Sequence, residues 1–92
     1  MTDAESRRRR AAYRASHRGT KEMDWLLGRF AAAELAAMPD ATLTRFEQLL
    51  TLPDPELYDM IMSPAHAPAG EFADLIAAVR TFHGLETGTQ HG

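Results

Sequence analysis

The sequence contains no cysteine, which excludes disulfide bonds and thiolate chemistry. Its apolar runs are far shorter than the roughly 20 residues that cross a membrane as a helix. The N-terminus also lacks the apolar segment of a secretory signal, and Asp3 and Glu5 are out of character for an organelle presequence. We therefore expect a cytoplasmic protein without membrane insertion, whose fold depends on packing alone.

Residues that would support enzyme chemistry are also scarce. No glycine-rich phosphate loop follows a strand, and no serine lies in a nucleophile motif. The four histidines are spread over separate parts of the chain, which argues against a metal site. A chain of 92 residues forms one domain and is too small to enclose a deep active-site cavity as well. The sequence therefore predicts a binding protein, not an enzyme, with no catalytic, cofactor-binding or metal-binding residues.

Apolar residues recur with helical periodicity, and no segment alternates in the manner of a strand. Thr20 is predicted to cap the second helix, Asp40 or Thr42 the third and Asp54 the fourth. Gly84 is predicted to end the fifth helix. We predict an all-α fold, a compact five-helix antiparallel bundle with no sheet. The expected helices cover about residues 4–16, 21–37, 40–50, 54–62 and 71–83.

The apolar stripes of these helices predict the core, and the ends of the chain are expected to lie outside it. The first helix buries little, so residues 1–6 are expected to fray within a single helical domain of residues 1–84. Residues 63–70 are expected to form a loop, and residues 85–92 a disordered tail. The predicted core residues are Met23, Leu26, Leu27, Phe30, Ala33 or Glu34, Ala37, Leu43, Phe46, Leu49, Leu50, Leu57, Tyr58, Ile61, Met62, Phe72, Leu75, Ile76, Val79 and Phe82.

Charge is divided unevenly along the chain. Residues 1–22 carry seven Lys or Arg and three Asp or Glu, a net charge of +4, whereas residues 23–92 carry three and ten, a net charge of −7. This polarity favours an N-terminal end that meets an acidic partner, but it is equally typical of arginines that solvate a polar helix. A helical nucleic-acid-binding protein, with its N-terminal basic residues along phosphates, is the alternative.

The stretch from residue 17 to residue 24, His-Arg-Gly-Thr-Lys-Glu-Met-Asp, is the densest in chemistry. Gly19 is predicted to end the first helix in a left-handed conformation, and it would let another backbone approach closely. Arg18 could bind a carboxylate or a phosphate, while Glu22 and Asp24 could accept hydrogen bonds from a partner. A purely structural interpretation fits equally well, in which Gly19 ends the first helix and the charge of Glu22 complements the dipole of the second. Glu22 and Asp24 point about 160° apart on a helix, so they cannot share a proton.

The single tryptophan, Trp25, lies on the side of the second helix opposite its apolar stripe. Lys21 and Arg29 flank it one turn away on either side. Two interpretations are open: Trp25 anchors a partner, or a neighbouring helix covers it.

Three blocks of this sequence resemble a known family. Residues 13–30 contain Arg-Gly-x-x-Glu-x-Asp, followed by Leu-Leu-Gly-Arg-Phe; Phe-Glu-Gln-Leu-Leu follows at 46–50 and Asp-Pro-Glu-Leu-Tyr-Asp at 54–59. In this order and spacing they resemble the SdhE-type FAD assembly factors of succinate dehydrogenase, over about residues 7–83. The chain departs from the family at His17, where many members have a second basic residue, and at Met60, where many have tryptophan.

The resemblance implies a five-helix chaperone that binds the flavoprotein subunit of succinate dehydrogenase, and related flavoproteins, and promotes covalent attachment of FAD to it. FAD would be attached to the partner and not held stably by this chain. Nucleic acid is not an implied partner. The residues expected at the partner are the matched Arg18, Gly19, Glu22 and Asp24, extended by Arg14, His17, Lys21 and Trp25.

Overall fold

The structure, a computed structural model, describes residues 3–63, 70 and 72–85. Within these residues it contains five α-helices and no strand, which confirms the predicted all-α fold. The first helix packs against the second and third, and the fifth against the second and fourth. The helices are α1 (Asp3–Ser16), α2 (Lys21–Glu34), α3 (Asp40–Leu49), α4 (Asp54–Met62) and α5 (Ala73–Phe82), with a 3₁₀ turn (Leu35–Ala37) after α2.

One cluster of buried apolar side chains joins the five helices. Phe46 of α3 is the largest of its fully buried side chains, and its ring centroid is 6.0 Å from that of Phe30 on α2. Burying a side chain of this size contributes roughly 1.5–3 kcal/mol, so the cluster provides most of the driving force for folding. The predicted core residues that are buried are Met23, Leu26, Leu27, Phe30, Leu43, Phe46, Leu49, Leu50, Leu57, Ile61, Leu75, Ile76 and Val79.

The prediction for the end of α2 was wrong. Ala33, Glu34 and Ala37 are exposed, whereas Ala31, Leu35 and Met38 are buried. Beside Phe30, the buried residues Ala31 and Leu35 follow Leu27 at successive spacings of four, and each such spacing moves the buried side about 40° around the helix. In the 3₁₀ turn that begins at Leu35, three residues complete a turn, so Met38 is buried on the same side as Leu35 and Ala37 is not.

Three large side chains that were predicted to face the core are partly exposed: Tyr58 (41%), Met62 (40%) and Phe82 (41%). The helix α4 has nine residues and is buried only at Leu57 and Ile61. Tyr58 and Met62 each follow one of these residues and lie about 100° further around the helix, at the edge of the packed face.

Prolines, not aspartates, occupy the N-cap positions of α3 and α4. Pro39 and Pro53 are extended, with ψ of 162° and 149°, and neither helix has a side-chain cap. Asp40 and Asp54 are therefore the first helical residues and not the predicted caps. Their carboxylates bind arginines of other segments, namely Arg7 and Arg18.

Arginines from elsewhere in the chain cap the C-terminal ends of three helices. The last turns of α2, α3 and α4 contain no basic residue. A guanidinium at a helix C-terminus satisfies unpaired carbonyls and complements the negative end of the dipole. Arg8 donates hydrogen bonds to the carbonyls of Leu35 and Met38, Arg18 to those of Leu50 and Leu52, and Arg80 to those of Ile61 and Leu85.

Gly84 ends α5 as predicted. Its φ is +70°, and the Leu85 N–H donates to the Arg80 carbonyl at 2.8 Å, which closes a Schellman motif. Leu85 packs against the core, although the sequence placed it in the tail, and residues 86–92 lie outside the described residues. At the other end, residues 3–6, which were expected to fray, are helical.

The predicted loop over residues 63–70 and the expected absence of a membrane span can be compared with the structure only over the described residues. Of the predicted loop over residues 63–70, residues 64–69 lie outside the described residues. None of the helices in the described part of the chain has the length and hydropathy that crossing a membrane requires.

Candidate functional site

The candidate site is the turn between α1 and α2 together with the start of α4. We call residues 17–24 and Asp54 the corner. The helix α1 ends at Ser16 and α2 begins at Lys21, so four residues reverse the chain. Thr20 caps α2 as predicted: its backbone is extended, and its hydroxyl accepts a hydrogen bond from the Met23 N–H at 3.2 Å.

Arg18 binds inside the molecule and does not extend into solvent. Its Nε donates to Asp54 Oδ1 at 2.8 Å, and its terminal nitrogens donate to the carbonyls of Leu50 at 2.7 Å and Leu52 at 2.8 Å. The Arg18 side chain is only 10% exposed and that of Asp54 18%. The guanidinium therefore holds the corner against the α3–α4 connection, and its fork of donors is used within the chain.

Gly19 has a different reason to be glycine from the one predicted. In the described residues only Gly70 and Gly84 have positive φ, so Gly19 is not a left-handed helix end. Its N–H donates to Asp54 Oδ2 at 2.7 Å, and a Cβ added at Gly19 would lie 2.9 Å from that same oxygen. The close approach of the Asp54 carboxylate, and not the local backbone angle, restricts this position.

Asp24 completes the internal hydrogen bonding of the corner. Its Oδ1 accepts a hydrogen bond from the Arg18 N–H. Side-chain oxygens of Thr20, Asp24 and Asp54 thus accept three backbone N–H groups, those of Met23, Arg18 and Gly19. These bonds fix the chain direction and make the corner a preformed surface.

Glu22 and Lys21 are the parts of the corner that project outward. Both are exposed in the first turn of α2. Among the described residues, Glu22 has no hydrogen-bond or ion-pair partner. Glu22 therefore keeps both of its acceptor oxygens available, whereas Oδ1 of the neighbouring Asp24 accepts the Arg18 N–H.

Aromatic pairs lie on both sides of the corner. His17 is exposed and stacks on Tyr13, with ring centroids 3.9 Å apart and planes 16° apart. Its Nδ1 lies 2.8 Å from the Tyr13 carbonyl, which accepts if that nitrogen carries the proton. Trp25 is 49% exposed, and its ring lies 4.4 Å from that of His83 beyond α5. Trp25 thus points away from the core, and a neighbouring segment covers one side of it, whereas its role as a partner anchor stays a prediction.

The structure adds Asp54 to the predicted site and changes the role of Arg18. The aspartate precedes a proline at a helix start, so the sequence favoured a local cap over a contact 36 residues away. The signal that could have identified it is its position in the third block of the family pattern.

Arg14 is exposed and lines a shallow groove with Tyr13, His17 and the corner.

A second cluster joins α1 to α3. Arg7 donates to Glu47 at 2.7 and 3.1 Å, to Asp40 at 2.9 Å and to the Thr44 hydroxyl at 2.8 Å. The hydrogen bond from Arg7 lowers the pKa of Glu47 below its ordinary value. Partial burial opposes this shift, while the positive charges of Arg7, Arg10 and Arg14 add to it.

The lowered pKa of Glu47 predicts a pH dependence of stability. Because the carboxylate form is favoured in the folded state, its contribution is complete above the ordinary pKa of about 4.3 and is lost as pH falls through the folded value. Between pH 7 and pH 3, wild type should lose more free energy of unfolding than Glu47→Gln, measured by urea denaturation. Glu34→Gln, at an exposed position, should keep the wild-type dependence. Identical curves for wild type and Glu47→Gln would contradict the assignment.

No three His, Asp or Glu side chains within residues 3–63, 70 and 72–85 lie close enough together to hold a metal ion. The corner has one ion pair and a set of backbone hydrogen bonds. Such an arrangement can position a surface for a partner, and its exposed chemistry is an unpaired carboxylate beside a basic face.

Comparison with known proteins adds a second line of evidence. The family model described as "Flavinator of succinate dehydrogenase" matches residues 9–83. The chain is similar to the FAD assembly factor SdhE of Acetobacter pasteurianus, with 44% identity over 63 residues, which are 68% of this chain and 58% of that protein. It is also similar to the mitochondrial succinate dehydrogenase assembly factor 2 of Dictyostelium discoideum, with 31% identity over 68 residues, or 74% and 48% of the two chains.

The FAD assembly factor SdhE of Legionella pneumophila is 35% identical over 63 residues, which are 68% of this chain and 78% of that protein. The matched region thus spans about half the length of the Acetobacter and Dictyostelium relatives. No solved structure matches the chain.

Proposed function

The chain belongs to the family of flavinators of succinate dehydrogenase, and from this premise we propose that it binds the flavoprotein subunit of that enzyme and promotes covalent attachment of FAD to it. The observation that carries the proposal is the preformed corner. Arg18, Gly19 and Asp24 of the family signature are joined to one another through Asp54 and the backbone. The fourth signature residue, Glu22, is exposed on the surface they support.

In this proposal the chain provides a surface and no reacting atom. The nucleophilic histidine belongs to the flavoprotein, and the FAD becomes covalently attached to that partner. Binding at the corner would favour the partner conformation in which histidine and the flavin methyl group are aligned, which raises their effective molarity. A rigid corner suits this role, because less conformational entropy is lost when a preformed surface binds. Related flavoproteins with the same attachment are proposed as further clients.

The nucleic-acid alternative is not favoured. It required seven N-terminal basic residues to lie along phosphates, but three of them are bound within the molecule. Arg7 binds carboxylates of α3, while Arg8 and Arg18 bind backbone carbonyls at helix ends. The rest of the chain has a net charge of −7, which a polyanion would repel.

Co-expression with a succinate dehydrogenase flavoprotein subunit tests the proposal. Covalent flavin is measured as in-gel fluorescence after denaturing electrophoresis, normalised to the amount of flavoprotein. We expect more covalent flavin with the wild-type chain than with an empty vector. Equal flavin in both would reject the proposed function.

Glu22→Ala is the sharpest surface variant, because Glu22 is exposed and has no hydrogen-bond or ion-pair partner among the described residues. We expect the protein to remain folded, with binding to the flavoprotein weakened about tenfold and covalent flavin reduced in proportion. Glu34→Ala is the matched control, an exposed glutamate at the opposite end of the same helix. Equal flavin yields from the two variants would show that Glu22 is not part of the docking surface.

A further inference from the structure

The basic residues of α1 fall into two sets with different environments. Arg7 and Arg8 bind side chains and carbonyls of other segments. Arg9, Arg10 and Arg14 are exposed, and none forms a hydrogen bond or ion pair with a described residue. Packing therefore explains the first set and leaves the second without a structural role of that kind.

The second set lies on one face with two aromatic side chains. Arg10, Tyr13, Arg14 and His17 follow the spacing i, i+3, i+4 and i+7, which places them along one side of a helix, and Arg9 lies one turn before Tyr13. Tyr13 is 63% exposed, although its ring is ordered by stacking on His17. We call Arg9, Arg10, Tyr13, Arg14 and His17 the basic strip.

The basic strip is continuous with the corner. Two shallow grooves share Tyr13 and Arg14: one extends to Arg9 and Arg10, and the other to Arg18, Gly19 and Asp54. From Arg9 to His17 the strip is about 12 Å long. A partner that contacts the corner from this side also lies over the strip.

Folding alone does not account for this concentration of charge. Arg10 and Arg14 are like charges one turn apart, a spacing that destabilises a helix. The carboxylate of Glu47 attracts both of them, but both of its oxygens are bound by Arg7. Arg14 complements the dipole in the last turn of α1, but Arg9 and Arg10 lie in mid-helix and do not.

We infer that the basic strip is a docking surface for an acidic patch on the client protein, beside the site bound by the corner. This inference rests on the proposed function and names the second contact of the same partner. The strip is open and shallow, whereas sites for small molecules are concave and enclose most of their ligand. Exposed arginines around a tyrosine are typical of protein interfaces, where charge complementarity increases the rate of association and fixes orientation.

Binding of the purified flavoprotein subunit to the immobilised chain, measured over a range of salt concentrations, tests the inference. The variant is Arg10→Gln/Arg14→Gln, which removes two charges and keeps good helix-forming residues. We expect affinity about tenfold weaker than wild type near 50 mM salt, mainly through slower association, and a smaller difference near 500 mM because salt screens the charges.

The matched control is Arg29→Gln/Arg45→Gln, which removes the same net charge from α2 and α3. It should bind within about twofold of wild type, and circular dichroism should show that both double variants are folded. If wild type neither binds the flavoprotein nor increases its covalent flavin, the proposed function fails and the inference fails with it. If wild type does both and Arg10→Gln/Arg14→Gln matches it, only the inference fails.

Three other results would also overturn the inference. Equal weakening by the two double variants would mean that overall charge, and not the strip, attracts the client. Binding of free FAD that is lost in Arg10→Gln/Arg14→Gln would identify the dinucleotide as the ligand of the strip. Binding of a short DNA duplex that is lost in the same variant would assign the strip to nucleic acid.

Discussion

Arg18→Ala is expected to lower the free energy of unfolding by about 3 kcal/mol, a large part of the roughly 5–15 kcal/mol that stabilises a small domain. The substitution removes the partner of Asp54, a carboxylate whose side chain is only 18% exposed. It also leaves the carbonyls of Leu50 and Leu52 without the guanidinium that caps the end of α3. Urea denaturation followed by circular dichroism measures the change.

Two further variants control this experiment. Arg18→Lys keeps the charge but loses the planar fork, so it should retain only part of the stability, with a loss of about 1–2 kcal/mol. Arg29→Ala removes an exposed arginine of α2 and should change stability by less than about 0.5 kcal/mol. If Arg18→Ala unfolds at the same urea concentration as Arg29→Ala, the guanidinium does not hold the corner in solution.

Asp54→Ala is the second large expected effect, a loss of about 2 kcal/mol. The Arg18 guanidinium would keep its two carbonyl acceptors but lose its counter-charge, and the Gly19 N–H would donate to water instead. Asp54 makes no side-chain cap to its own helix, so apart from the helix-dipole contribution that Asp40 shares, the loss reflects the contact with the corner. Asp40→Ala is the matched control, since Asp40 also begins a helix after proline but its side chain is 79% exposed. That variant should cost less than about 1 kcal/mol.

The double variant Arg18→Ala/Asp54→Ala separates a direct interaction from two independent effects. Once either partner is gone, removing the other costs less, so the double variant should be more stable than the sum of the single losses predicts, by about 1 kcal/mol or more. Additive losses within about 0.3 kcal/mol would contradict the ion pair that the structure shows between these residues.

The order of the helices was accessible to sequence reasoning because the signals are local. The Thr20 cap, the Gly84 end of α5 and most buried positions depend on residues within one or two turns of each other. Predictions failed where a helix offered only a narrow contact, as at Tyr58 and Met62. Whether a residue at the edge of a stripe is buried depends on which helix packs beside it, and a single helical wheel does not contain that information.

The sequence placed Arg18, Gly19 and Asp24 in one short stretch but did not predict what each of them contacts. Arg18 was expected to face a partner, yet its acceptors lie 32, 34 and 36 positions away in the chain. Its inward direction is set by the packing of α3 and α4, which periodicity cannot place. The same long-range contact restricts Gly19, because a Cβ there would lie 2.9 Å from Asp54 Oδ2 and the carboxylate would have to move. Glu22 differs from these residues, because its exposure follows from its position on the helical wheel of α2 alone.

The most direct test of the central claim uses purified components. Apo-flavoprotein subunit of succinate dehydrogenase is incubated with FAD and increasing amounts of this chain, and the initial rate of covalent flavin formation is followed by in-gel fluorescence. The proposed docking predicts a rate that increases and then saturates with the wild-type chain, and that requires more of the Glu22→Ala protein to reach the same value. A rate that is unchanged at every concentration of the folded wild-type chain would contradict it.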